Sequence, residues 1–226
     1  INGAQMVAAM NAVGVDFVCF GNHEFDLGYE SLQSRINESK FMWISSNIMY
    51  TPSTEGVVKP FEKNADGKVE SFPESYIIKT KNPSGAEVKV GIIGVTLGSN
   101  RPPYIVWSDP IESAKRVFAQ LKNQTDFVIG LTHLSIEEDK KLASELPELK
   151  IILGGHEHTN MMFKEGNTII SKADANARTA YIHRLRWNAA TKSLSTTSEV
   201  KTIDAAVHED SATASVVNDW MTRAPG

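Results

Sequence analysis

One pattern, repeated three times, constrains the fold of this 226-residue chain most: a short apolar run that stops in a polar loop carrying histidine. "DFVCF" (16–20) runs into "GNHE", "DFVIGL" (126–131) into "THLS", and "KIIL" (150–153) into "GGHEH". Runs of this length, lying between helical patterns, predict buried strands of an α/β sheet. In such sheets the loops at the strand carboxyl ends gather in one crevice. Four of the six histidines, His23, His133, His156 and His158, fall at these strand ends together with Asn22. Imidazole and amide oxygen suit borderline divalent metals such as Zn, Mn, Fe or Ni, so a metal or phosphoryl site is the natural expectation.

The remaining sequence fills in that frame. A first helix is expected over Gly3 to Val13, ending at Gly14, and a second over "YESLQSRINESK" (29–40). "VDFVCF" (15–20) and "FMWISSNI" (41–48) read as strands. The stretch from Tyr50 to Glu74 is polar and rich in Pro, Gly, Ser and Lys, which predicts a long surface excursion. "SYIIKTKNPSGAEVKVGIIGVTLG" (75–98) reads as a hairpin turning at "NPSG". Asp109 and Pro110 open a further helix as cap and first-turn proline. "EEDKKLASELP" (137–147) is another helix, "NTIIS…SLS" (167–195) supplies two more strands and a turn, and a terminal helix begins near His208.

Composition excludes several classes. A net charge of -4 with scattered Lys and Arg gives no nucleic-acid footprint. No apolar run is long enough for a membrane helix, so no membrane span is expected. The single cysteine, Cys19, cannot form an internal disulfide and lies in an apolar run as a buried, inert thiol. The first residues lack the pattern of a signal peptide and read as a helix already under way, so the chain is expected to begin inside a larger gene product.

Each motif alone has an ordinary structural reading. A histidine after a strand is commonly a hydrogen-bonded loop residue, and "GNHE" could be a turn with Asn in a left-handed conformation. "HEH" sends alternate side chains the same way without proving two ligands. His183 in "AYIHRLRW" fits strand alternation, and His208 beside Glu209 and Asp210 reads as a helix-start residue. The joint occurrence on three strands carries the functional reading.

"GNHEFDLG", "THLS" and "GGHEHT", in that order, resemble the later signature blocks of the calcineurin-like metallophosphoesterases, and most closely their 5'-nucleotidase branch. The resemblance runs from Ile1 to about Asp204, giving a core over 1–204, with 205–226 similar to the helix that connects to a substrate domain in two-domain nucleotidases. It implies a layered α/β/β/α core of mixed sheets flanked by helices. It also implies two divalent metal ions, with Asn22, His133 and His156 binding one and His158 the other. His23 would face the phosphoryl group, and Asp26 would orient His23. The implied reaction is attack of a metal-held hydroxide on a phosphate monoester, a nucleotide by family resemblance. The family's relatives are commonly exported, which implies a periplasmic or secreted protein.

The pattern is incomplete here. The family's D-x-H and G-D-x-x blocks, which supply the anionic metal ligands, do not occur in the 20 residues before Gly21. The chain is therefore expected to lack its N-terminal strands, to bind metal weakly, to be inactive alone, and to leave a sheet edge open to association. Competing readings are a cyclic-nucleotide phosphodiesterase, a nucleotide-sugar hydrolase, or a phosphoesterase-like module that binds without catalysis. "RPPY" (Arg101 to Tyr104) and "KADANAR" (Lys172 to Arg178) are further candidates to face the crevice.

Overall fold

Helices and strands alternate as expected in a computed structural model that describes residues 2–52, 56–82 and 85–223. Helix α1 (Ala4–Val13) leads to β1 (Phe17–Val18), a 3-10 turn (His23–Asp26) and α2 (Tyr29–Glu38). Short strands follow: β2 (Met42–Trp43), β3 (Ile48–Tyr50), β4 (Glu62–Ala65) and β5 (Lys68–Ser71). Then come β6 (Ser75–Lys81), β7 (Glu87–Thr96), β8 (Ile105–Trp107), α3 (Pro110–Leu121), β9 (Phe127–His133) and α4 (Ile136–Glu145). The chain continues through β10 (Ile151–Gly154), β11 (Met161–Glu165), β12 (Thr168–Lys172), β13 (Thr179–Asn188), β14 (Ser193–Thr202) and α5 (Ser211–Arg223).

The main sheet has six strands in the order β11-β12-β10-β9-β7-β6. Its four central strands are parallel, and β6 and β11 close the two edges antiparallel. Helices α3 and α4 cover it: Ile93, Val95, Val128, Ile152 and Ile170 pack against Ala114, Val117, Leu121 and Leu142. Their starts are set by sequence. Asp109 accepts the Ile111 and Glu112 amides, each at 2.9 Å, and Pro110 sits in the first turn. Ser135 and Glu138 form a reciprocal capping box that starts α4 two residues after His133.

A second apolar core lies beside the first. Phe20 and Phe25 from the first His-bearing segment, Leu32 and Ile36 from α2, and Trp43, Phe61 and Phe72 are its buried members. Here β1 pairs in parallel with β2, and among the described residues it has no strand on its other edge. Asn47 joins the two halves: its amide nitrogen donates to Thr96 O (2.8 Å) and Ser108 O (3.0 Å), and its oxygen accepts the Thr96 amide (3.0 Å). The Thr96 hydroxyl donates to Phe20 O (2.7 Å) across the same seam. Helix α5 packs against α1.

Three expectations need correction. The "VDFVCF" run contributes only Phe17–Val18 to a ladder, and "FMWISSNI" divides into β2 and β3 because Ser45 turns its hydroxyl onto Ile48 O while Ser46 and Asn47 bond the backbone of neighbouring segments. The polar excursion contains a hairpin, β4–β5, held down by the buried Phe61 and Phe72 at its two ends. The "NPSG" turn lies in part at residues 83–84, outside the described residues, but β6 and β7 pair as the hairpin expected.

Candidate metal centre

The three His-bearing loops meet. Asn22, His23, His133, Gly155, His156 and His158 line one open cleft of about 500 Å³ at the carboxyl ends of β9 and β10. Asn22 Oδ1 and His133 Nε2 are 2.8 Å apart, and the His133 and His156 rings meet edge-on with centroids 5.3 Å apart. His23 Nδ1 is 2.7 Å from Asp26 Oδ2, with both side chains largely exposed. All six residues singled out by sequence therefore fall at this corner of the molecule.

Glycines make the close approach possible. A Cβ on Gly21 would stand 3.0 Å from His133 Cε1, and one on Gly155 would stand 3.0 Å from His133 Nδ1. The imidazole thus occupies a slot walled by two glycines, where a side chain on either wall would have to push it aside by a few tenths of an ångström. His156 adopts φ 80°, a left-handed conformation unusual for a residue with a side chain and one that concentrates at functional sites. Glu24 accepts the Gly21 amide at 2.6 Å and Phe25 is buried against Phe20, so both hold the turn rather than face the cleft. Each residue of "THLS" also has its own task. The Thr132 hydroxyl donates to Asp139 (2.8 Å), His133 enters the cleft, Leu134 is buried, and Ser135 caps α4.

Burial, reinforced by the positive character of His156, Lys172 and His23, pushes His133 down to about 4, so it is neutral at pH 7. A neutral imidazole is the form that binds a cation. The Asn and His donors suit a borderline divalent ion. Yet among the described residues no three His, Cys, Asp or Glu side chains converge as a closed ligand group. The donor chemistry fits part of a metal shell and supplies no free anion to it. Asp174 does line the cleft, held below the ordinary carboxyl range by hydrogen bonds from the Asn160 amide and the Thr179 hydroxyl. Burial works to raise Glu157, which also lines the cleft, but hydrogen bonds from Lys172 and the Ile136 amide leave it lowered and engage both of its oxygens.

Some crevice candidates turn elsewhere. Arg101 stacks on Trp107 at 3.9 Å, and the Tyr104 hydroxyl donates to Leu27 O at 2.7 Å. Lys172 is fully buried instead of facing the crevice, whereas Ala173, Asp174 and Ala175 of the same motif do line it. His183 bridges Ser171 (3.0 Å) and Ser198 (2.8 Å), the structural role its strand position predicts. Sequence reading missed Asn100, whose amide donates to Asp26 Oδ1 (2.8 Å) and Asn22 O (3.1 Å) and so fixes the "GNHE" turn from β7's exit loop. Nothing in "GSNR" marks it out, because the contact spans 74 residues of chain.

A family model described as calcineurin-like phosphoesterase matches residues 4–160. The chain is 32% identical over 165 residues to the 5'-nucleotidase of Homo sapiens, covering 70% of this chain and 26% of that protein. It is 29% identical over 164 residues to snake venom 5'-nucleotidase from Gloydius brevicauda, covering 70% and 25%. It thus spans about a quarter of the length of these relatives. The crystal structure of a 5'-nucleotidase precursor from Thermus thermophilus superposes with a TM-score of 0.75 at 22% identity, over 98% of this chain and 45% of that one, which establishes likeness of fold.

Proposed function

The chain belongs to the calcineurin-like phosphoesterase family, and on that premise we propose that it forms the core of a metal-dependent hydrolase of phosphate monoesters, with nucleotides as substrates. The observation that carries this reading is the convergence of Asn22, His23, His133, His156 and His158 on one cleft wall. The 5'-nucleotidases among its relatives favour a nucleotide over other esters. Export to the periplasm or medium belongs to the same proposal, and a venom enzyme among the relatives supports it. No helix among the described residues is long and apolar enough to cross a membrane.

The geometry supports a role for each residue. Asn22, His133 and His156 would hold one divalent ion and His158 a second. When bound, such ions supply Lewis acidity and lower the pKa of water. Opening the Asn22–His133 hydrogen bond frees Asn22 Oδ1, and moving the ring proton from Nε2 to Nδ1 frees the Nε2 lone pair for the same task. Asp26, itself steadied by Asn100, accepts the Nδ1 proton of His23 and fixes the ring. That leaves Nε2 to face the phosphoryl group; with the ring in its imidazolium form, Nε2–H would donate a hydrogen bond as charge builds there and pass its proton to the departing oxygen, leaving the neutral ring held by Asp26.

Asn and His bind a cation as uncharged ligands, while Asp174 and Glu157 are engaged by their own hydrogen bonds. Two neighbouring dications need anionic ligands to offset their repulsion. The 226 residues alone would therefore hold metal weakly and turn over little, and further carboxylate ligands would come from elsewhere in the complete protein. The test compares His23→Asn with the unaltered complete protein on a nucleoside monophosphate. The expected loss of rate is about 10²- to 10⁴-fold at unchanged metal content. Equal loss of metal would make His23 a ligand, and full activity with tight uptake of two ions by the isolated chain would refute the incomplete-shell reading.

A further inference from the structure

Lys172, the last residue of β12, is wholly buried, yet it ends in a charge. Its three ammonium protons are all spent. One goes to Leu134 O (2.5 Å), one to Gly155 O (2.9 Å) and one to the Glu157 carboxylate. Asp139 Oδ2 lies 2.8 Å away, a fourth oxygen around an ammonium that has three protons, and close enough to offset the charge. Its other oxygen accepts the Thr132 hydroxyl at 2.8 Å, and the whole carboxylate is buried.

The addresses of these bonds are informative. Leu134 follows His133, Gly155 precedes His156, and Glu157 separates His156 from His158. Glu157 Oε1 also accepts the Ile136 amide at 2.5 Å, which ties the start of α4 to the same point. Gly154 provides the space, since a Cβ there would stand 2.9 Å from Lys172 Cε and 3.1 Å from Asp139 Oδ2. So the first glycine of "GGHEH" makes room for the lysine and the second for His133.

Buried ion pairs are often replaceable by apolar residues at no loss, so the charge here is weak evidence of a purely stabilising role. We propose that Lys172 is a positioning residue: its ammonium fixes the spacing of the loop after β9 against the loop after β10, so that His133, His156 and His158 are presented to a divalent cation in one arrangement. This rests on the metal-binding reading above.

The test uses Lys172→Met, and also Lys172→Met combined with Asp139→Leu, which leaves no unpaired buried carboxylate and guards against simple misfolding. Two readouts are taken on the 226-residue chain at a temperature where all forms are folded by circular dichroism. The first is amide hydrogen exchange without metal. The Ile136, Gly155 and Glu157 amides should exchange at least about tenfold faster in the double variant, with the central strand amides of β9 and β10 unchanged. The second is titration with Mn²⁺, read by broadening of the histidine ring resonances, which detects millimolar binding. Affinity should fall roughly tenfold, as it does when outer partners of metal ligands are removed. Unchanged exchange in a folded double variant overturns the proposal, as does an unchanged Mn²⁺ affinity. An unaltered chain that shows no broadening refutes the weak binding proposed for these residues on their own, and the exchange rates still decide whether Lys172 holds the loops.

Discussion

His133 ends β9 and Asp139 is held by the hydroxyl of its neighbour Thr132, and the protons of the two answer acid in opposite senses. The folded chain holds His133 near 4 against an ordinary 6.5, chiefly by burial. The unfolded chain therefore takes up that proton first, and the stability it represents is full above about pH 6.5 and lost as pH falls toward 4. Burial lifts Asp139 to about 6 from 3.8, in spite of Lys172 and Thr132. Its contribution is full below about 3.8 and lost as pH rises through 6. The two windows overlap and offset each other between about pH 4 and 6. Asp139→Asn removes one of them, so thermal stability in a chelator should fall more steeply with acid in the variant than in the unaltered chain. Equal slopes in the two would rule this out. Cys19 takes no part: burial, then the nearby Glu24, pushes its thiol up to about 12.

At the level of elements, close contact decides which residues are tolerated. Gly94 in β7 passes under Ile44, where a Cβ would stand 2.5 Å from the Ile44 carbonyl oxygen. Backbone cannot swing aside as a side chain can, so Gly94→Ala should cost about 1–3 kcal/mol or more in chemical denaturation. A change within a few tenths of a kcal/mol would mean that the two halves slide freely. Sequence alone made β9, β10 and their His-bearing loops legible, because a buried parallel strand has a continuous apolar signature and its end has few places to go. Asp109 and Pro110 announced α3 for an equally local reason. The β4–β5 hairpin was not legible, since its own strands are polar and the anchoring Phe61 and Phe72 lie just outside them. Nor was the burial of Lys172. A charged residue after "IIS" reads as solvent-facing unless its partners, 15 to 38 residues away, are known.

Over the whole molecule, the candidate site belongs to neither core alone. Asn22, His23 and Asp26 come from the half built on Phe20 and α2, and His133, His156 and His158 from the six-stranded sheet. The site exists only while the seam between the halves holds, and Asn47 is a main fastener of that seam. Asn47→Ala strands the buried Thr96 amide, which should cost about 1–3 kcal/mol. Loss of the Asn22–His133 contact, followed through the His133 ring resonances, should precede global unfolding in that variant. Simultaneous loss would argue for a single cooperative block. Trp43 offers another view of this seam. Its indole is 8% exposed, stacked on Phe72 at 5.8 Å, and in ring contact with Phe20, the residue immediately before Gly21. A chromophore one ring away from the "GNHE" turn is an optical strain gauge. With Trp107, Trp187 and Trp220 replaced by phenylalanine, the emission of this one indole would register, in real time, anything that tugs on the turn bearing Asn22 and His23.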